Sequence, residues 1–440
     1  MTMTHSKRFI VQAGGQLRGE HRVPGDKSIS HRSIMLGALA EGTTHVSGFL
    51  EGEDTLATLA AFQAMGVKIT RPSLEAVTIE GVGLHGLKAP AQALYLGNSG
   101  TSMRLMSGIL AGQSFSVEMT GDPSLSRRPM KRVTVPLAQM GAKIDTAENG
   151  TPPLKIHAGQ GLQGIDYTMP IASAQVKSCL LLAGLYAKGM TCITEPAPTR
   201  DHTERMLRGF GYPIQQAGDK VCLQGGGRLQ ATDIEVPADI SSAAFFMVGA
   251  SIAAGSDIIL KHVGINPTRI GVLNILRLMG AKITLLNERE IGGEPVADIR
   301  VQASPLKGIR IPVDQVPLAI DEFPAIFIAA ACAEGETILT DAEELRVKES
   351  DRIQVMADGL LKLGISAQPT PDGIVIKGGQ LQGGIIDSHG DHRIAMSFTI
   401  AGLRANGTIE IEDCANVATS FPTFIQLAQT AGIQVQEQEA

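Results

Sequence analysis

Basic residues collect where this chain enters its apolar runs. "PGDKSISHRS" (24–33) puts Lys27, Ser28, His31 and Arg32 around the first such entry. "GNSGTSMR" (97–104) supplies Asn98, Gly100, Thr101 and Arg104, and "SLSRRPM" adds Arg127 and Arg128. "SAQVKS" contributes Ser173, Gln175 and Lys177, and "PTRDHTE" contributes Arg200. Later come Arg269, Asp321, then Lys348, Glu349 and Arg352 in "RVKESDR", and Asp391, His392 and Arg393 in "DHR". Lysine or arginine in a first helical turn opposes the helix dipole, so the pattern is unfavourable unless an anion sits there. Arginine forks match phosphate and carboxylate, and lysine adds a point charge. The chemistry implied is binding of more than one anionic group. Asp321 and Glu349 are acids inside this basic field, where a carboxylate can move a proton to or from a bound substrate. The plainer readings are solvated surface cations for the basic residues and structural salt bridges for the two acids.

The elements that must carry these residues repeat. A short signature recurs as "MGVKI" at 65, "MGAKI" at 140, "FGYPI" at 210, "MGAKI" at 279, "LGISA" at 363 and "AGIQV" at 431, which sets a unit of about 70 residues. Each copy follows an amphipathic run and precedes an alternating segment, so its glycine reads as a helix C-cap leading into a strand. A second helix aligns in every unit, from "SISHRSIMLGALAEG" through "ISSAAFFMVGASIAAG" to "DHRIAMSFTIAGLRANG". Its near-continuous apolarity predicts burial on all sides. Six units predict an α/β chain of two lobes of three, with helices inside, sheets outside and equivalent helix starts aimed the same way. The boundaries expected are 21–237 for the first lobe and 1–20 with 238–440 for the second, so the chain crosses twice and forms a two-strand hinge.

Composition excludes several classes. There are 38 Lys and Arg against 44 Asp and Glu, a net charge of −6, with no Trp and few aromatics, which leaves neither a basic face nor a stacking platform for nucleic acid. The five cysteines, Cys179, Cys192, Cys222, Cys332 and Cys414, are far apart and lack CxxC spacing, so reduced thiols, without a disulfide or zinc framework, are expected. No signal-peptide core or membrane-length apolar run is seen, which predicts a cytoplasmic protein with no membrane partner. "GVGLHG" (81–86) matches GxGxxG but runs into Pro90 without a helix, so a dinucleotide site is not expected. "DSHGDHR" lacks the further ligands of a metal centre.

"PGDKSISHRS", "GNSGTSMR", "RRPM", "ASAQVKS", "TRDHTE", "IDEFP", "RVKESDR" and "DHRIAMS" together resemble the 5-enolpyruvylshikimate-3-phosphate synthase family, in order and spacing, over most of the chain. "SAQVKS" and the "EP" before "TRDHTE" are similar to its class II branch. The UDP-N-acetylglucosamine enolpyruvyl transferases share the fold but lack this combination of "PGDKS" and "KESDR", and stand as the alternative. A non-catalytic phospho-ligand binding protein is the third reading; it would need the basic helix starts but neither Asp321 nor Glu349.

The resemblance implies a two-lobed inside-out α/β barrel, each lobe of three βαβαββ units. It also implies the attack of the 5-hydroxyl of shikimate 3-phosphate on C2 of phosphoenolpyruvate, with no cofactor and no metal. By resemblance Lys27, Ser28, Arg32, Ser173, Ala174, Gln175, Arg200, Asp321 and Lys348 hold shikimate 3-phosphate. Lys27, Asn98, Gly100, Arg128, Gln175, Glu349, Arg352 and Arg393 line the phosphoenolpyruvate position. Asp321 corresponds to the base for the 5-hydroxyl and Glu349 to the acid that protonates C3, with Lys27 assisting. "ATSFPTF" has Thr419 where class I members carry a lysine, a lack shared by class II. The family is the target of glyphosate, and Gly100 stands where tolerant class II members have Ala. A monomer is the expected state.

Overall fold

The computed structural model describes residues 7–159 and 161–439; residues 1–6 of the leading segment assigned above to the second lobe lie outside them. By internal contacts the chain divides into two compact units. One is Gly25–Val236 with Ile291–Glu294, and the other comprises the described residues of Met1–Pro24, Pro237–Glu290 and Pro295–Ala440. Each unit has its own apolar core.

Six helices are buried along most of their length: Lys27–Leu39, Gly100–Ala111 and Ala174–Gly184 in the first unit, and Ile240–Ile252, Phe323–Ala331 and His392–Ala401 in the second. Small residues let them pack closely. A Cβ on Gly108 would lie 2.1 Å from the backbone oxygen of Cys179, so Gly100–Ala111 and Ala174–Gly184 meet backbone to backbone. Five of the six begin with an Asp or Ser whose side chain accepts a backbone N–H: Asp26, Ser99, Ser173, Asp239 and Asp391. The exception is Phe323–Ala331, where Glu322 makes no cap bond with its side chain.

The helices Glu53–Ala64, Lys131–Gln139, His202–Gly209, Gly271–Leu278, Arg352–Lys362 and Phe424–Ala431 end at the repeated signature. Its glycines, 66, 141, 211, 280, 364 and 432, all hold φ between +77° and +121°, a left-handed turn that a residue with a Cβ resists. That turn delivers the chain into a strand each time. In one sheet Ile234–Glu235 runs parallel to Glu41–Ser47, which is antiparallel to Ala76–Val82, itself antiparallel to Lys68–Ser73. The same pattern recurs in the four strands around Val117–Thr120, in those around Met190–Thr194, and, in the second unit, in those around Ile409–Glu412. The result is a mixed α/β fold in which several buried helices begin at residues named above.

The cysteine expectation is corrected. Cys192 and Cys222 sit directly opposite each other in the antiparallel strands Met190–Thr194 and Lys220–Gln224, and their sulfurs are bonded at 2.07 Å. Strand register, invisible in the spacing of single cysteines, brings the pair together. Cys179, Cys332 and Cys414 are free, and burial raises all three thiols, that of Cys332 to about 12, which disfavours the thiolate. "GVGLHG" leaves the strand Ala76–Val82 for a turn with no helix. Among the described residues no helix is long and apolar enough to cross a membrane.

Strand Glu294–Gln302 carries a buried carboxylate with a pH signature. Asp298 accepts from Lys261 Nζ at 2.8 Å, Asn287 Nδ2 at 2.9 Å and His262 N at 2.8 Å, which secures a bulge where His262 has φ +57°. Burial pushes its carboxyl up, and the three donors more than reverse this, to about 2. A folded value below the unfolded one adds stability above the usual carboxylate range that is lost as pH falls through the folded value. Asp298→Asn should therefore cost about 2 kcal/mol at pH 7. Urea titrations should show the gap between wild type and variant closing between about pH 4 and pH 2.

Candidate active site

Many of the predicted residues are linked by contacts within one or the other unit. In the first unit, Asp26 caps the helix Lys27–Leu39 through Ile29 N at 2.9 Å. Lys27 pairs with Asp54 at 2.5 Å, a carboxylate on Glu53–Ala64 that the motifs did not single out. One turn further along both helices, His31 Nδ1 meets Thr58 Oγ1 at 2.8 Å, and Thr58 meets Ser102 Oγ at 2.6 Å. Burial, then the charges of Lys27 and Arg32, hold His31 well below its usual value, so it is neutral. His31 thus joins three helices without adding charge beside the lysine. Arg32 is buried, donating to Thr203 Oγ1 at 2.7 Å, Ser178 Oγ at 2.8 Å and Ser28 O at 2.9 Å.

Around the start of Gly100–Ala111 a second group forms. Asn98 donates to Asp122 at 2.8 Å and accepts from Arg128 Nη2 at 2.6 Å. Arg104 donates to Gln175 Oε1 at 2.5 Å, and Gln175 donates to Thr101 Oγ1 at 3.1 Å. Ser173 caps the helix that begins at Ala174, and Arg200 stands just before the helix His202–Gly209. Lys27, Arg32, Arg104 and Arg128 outnumber Asp26, Asp54 and Asp122 at these helix starts, which favours an anion. Lys177, singled out with them, belongs elsewhere: it is 1 % exposed and pairs with Glu195 at 3.0 Å and Glu204 at 2.7 Å inside the unit. Its role is structural.

In the second unit the centre is Arg352, the first residue of Arg352–Lys362 and 1 % exposed. Its Nε donates to Asp391 at 2.8 Å, its Nη2 to Glu349 at 2.7 Å, and its Nη1 lies 3.5 Å from Asp321. Lys348 Nζ is 3.4 Å from the same Asp321 oxygen. Asp391 also caps His392–Ala401 through Arg393 N, and Ser350 Oγ donates to it at 2.9 Å. Burial opposes both charges, yet the Arg352 guanidinium beside Asp391, Glu349 and Asp321 stays above its ordinary value. Asp391 is held below the usual carboxylate range. Asp321 and Glu349 are therefore spaced by one guanidinium, which fixes two carboxylates at neighbouring positions: two groups able to exchange protons with a ligand. Arg393 stands at the same helix start, half-buried. Arg269 is buried against Asp239 and Ser241.

A family model described as EPSP synthase (3-phosphoshikimate 1-carboxyvinyltransferase) matches residues 11–427. A protein of Methylococcus capsulatus named 3-phosphoshikimate 1-carboxyvinyltransferase is 69 % identical over 434 residues, covering 98 % of this chain and 99 % of its own. One of the same name from Nitrosococcus oceani is 69 % identical over 427 residues, covering 97 % and 96 %. The solved EPSP synthase of Acinetobacter baumannii matches with a TM-score of 0.88 at 62 % identity, covering 98 % of this chain and 100 % of that one. Agreement of this extent leaves no part of either residue cluster outside the match, and the chain belongs to the EPSP synthase family.

Proposed function

We propose that this chain transfers the enolpyruvyl group of phosphoenolpyruvate to the 5-hydroxyl of shikimate 3-phosphate, releasing phosphate, in the biosynthesis of chorismate and the aromatic amino acids. The observation that carries this is the match, over 97–98 % of the chain, to relatives named 3-phosphoshikimate 1-carboxyvinyltransferase. Two anionic substrates suit the basic helix starts, and a paired set of carboxylates suits a reaction that removes one proton and adds another.

In the proposed reaction Asp321 takes the proton of the 5-hydroxyl while its oxygen bonds to C2 of phosphoenolpyruvate and Glu349 protonates C3. Glu349 then takes a proton back from C3 as the C2–O bond to phosphate breaks, giving the enol ether and phosphate, and the proton on Asp321 passes to the departing phosphate. Lys27, Ser28, Arg32, Ser173, Ala174, Gln175, Arg200 and Lys348 hold shikimate 3-phosphate. Asn98, Gly100, Arg128, Arg352 and Arg393 hold phosphoenolpyruvate, with Lys27 and Gln175 touching both. Positioning and charge stabilisation supply the catalysis. We further propose the finer architecture: lobes 21–237 and 1–20 with 238–440, each an inside-out barrel of three βαβαββ units, joined by a two-strand hinge. The six left-handed glycines and the six buried helices support the repeat. The protein acts as a cytoplasmic monomer.

Steady-state kinetics test the ligand assignment. Arg200→Ala should raise KM for shikimate 3-phosphate with little change for phosphoenolpyruvate, and Arg128→Ala should do the reverse; a swapped or uniform response would refute the assignment.

Glyphosate is proposed to compete with phosphoenolpyruvate. A Cβ on Gly100 would lie 3.1 Å from Arg128 Nη1 and 3.6 Å from Arg104 Nη1, tight against the guanidinium assigned to phosphoenolpyruvate. Gly100→Ala is expected to raise the glyphosate inhibition constant by on the order of tenfold or more, about 1.4 kcal/mol of crowding. An unchanged constant would remove the steric argument.

A further inference from the structure

Glu322 follows Asp321 in the chain, yet their carboxylates are engaged differently. Asp321 meets Lys348 and Arg352, whereas Glu322, 2 % exposed, accepts a hydrogen bond from the Ser241 hydroxyl. Ser241 Oγ in turn accepts from Arg269 Nη2 at 2.7 Å, and the same nitrogen donates to Asp239 Oδ1 at 3.1 Å. Asp239 also accepts from Ser241 N at 2.8 Å. All four residues are buried and lie in one unit. A guanidinium only donates, so the single hydroxyl proton of Ser241 is committed to Glu322 and every bond in the chain has a fixed direction.

Such a network is a poor source of stability, because desolvating two carboxylates and a guanidinium offsets most of their attraction. Its geometry is better matched to holding something still. Glu322 occupies the N-cap of Phe323–Ala331, and of the six buried helices this is the one whose cap side chain bonds no backbone N–H. The carboxylate is turned into the network instead. Its backbone is fixed too, with Glu322 N donating to Ala319 O at 2.9 Å and Glu322 O accepting from Ile326 N at 3.0 Å. Position 321 is therefore followed directly by a residue anchored at both main chain and side chain.

We propose that Glu322, Ser241 and Arg269 are positioning residues, which fix the 319–322 turn and through it the direction of the Asp321 carboxylate. The proposal rests on the reading of Asp321 as the base. The full-length protein is assayed for phosphate release with both substrates varied, using Glu322→Gln, Ser241→Ala, Ser241→Thr, the double variant Ser241→Ala/Glu322→Gln, and Asp321→Asn. Misdirection of a reacting group lowers kcat by on the order of 10–100-fold, and that loss is expected for Glu322→Gln and Ser241→Ala, with both KM values within about two-fold of wild type. The double variant should be no slower than the slower single one, because Glu322→Gln removes the charge that fixes the direction of the chain and Ser241→Ala removes its middle link. Ser241→Thr, which keeps the hydroxyl, should recover most of the rate. If Glu322→Gln fails to fold, the Ser241 pair gives the same comparison. Full kcat per folded molecule in Ser241→Ala, or a rise in KM alone, beside a slow Asp321→Asn overturns the positioning role and leaves the base in place. A fast Asp321→Asn overturns both.

Discussion

Asp321→Asn should reduce kcat by about a thousandfold while both substrates still bind, since general-base contributions run from roughly 10² to 10⁴. The substitution keeps the shape of the side chain and removes its charge and basicity. Arg352 retains Glu349 and Asp391, at 2.7 and 2.8 Å, so the cluster keeps its frame. Phosphoenolpyruvate, an anion, loses a nearby negative charge and gains rather than loses affinity. The expected signature is a fall in kcat with KM for either substrate unchanged or lower, and protection of the variant against thermal unfolding by shikimate 3-phosphate. A binding module without catalysis would show no turnover in the wild type either, and turnover retained in the variant would move the base elsewhere.

Arg352→Met should produce the largest loss of stability. Removing one partner of a buried ion pair leaves the other charge uncompensated, at a cost of about 3–5 kcal/mol. Here Asp391 is fully buried and Glu349 loses a guanidinium at 2.7 Å. The pH dependence identifies the cause. With Arg352 present, Asp391 sits below the usual carboxylate range; without it, burial pushes the carboxyl above that range. The variant regains stability as pH falls and Asp391 takes up a proton, whereas the wild type does not. Urea midpoints at pH 8 and pH 5 should converge, and Arg352→Met/Asp391→Asn should recover part of the loss at pH 8. A deficit independent of pH would show that lost packing, not the orphaned carboxylate, is responsible.

The parts of the fold legible in the sequence were those written in local chemistry. The six glycines after helix ends marked themselves because a left-handed turn leaves little choice of residue, and all six hold positive φ. The buried helices were legible because a helix without a polar face has to be covered. What was not legible depended on contacts between distant segments. Cys192 and Cys222 are 30 residues apart, and only strand register makes them neighbours. Lys177 followed the pattern of the anion-binding helix starts, yet its stem turns inward to Glu195 and Glu204, a direction that one helix cannot reveal. Asp54 and Glu322 carry no local signal for the same reason, each defined by a partner, Lys27 or Ser241, far away in the chain. The cations at the helix starts and the two acids stand out in the sequence by type and spacing, and their mutual contacts are what the structure adds.

The identity of the acceptor of the enolpyruvyl group decides the reaction. Phosphate release from phosphoenolpyruvate should be measured with no acceptor, with shikimate 3-phosphate, and with UDP-N-acetylglucosamine. The prediction is release with shikimate 3-phosphate alone, in stoichiometric step with the enol ether product. Release with the sugar nucleotide in its place, or with neither acceptor, would contradict it.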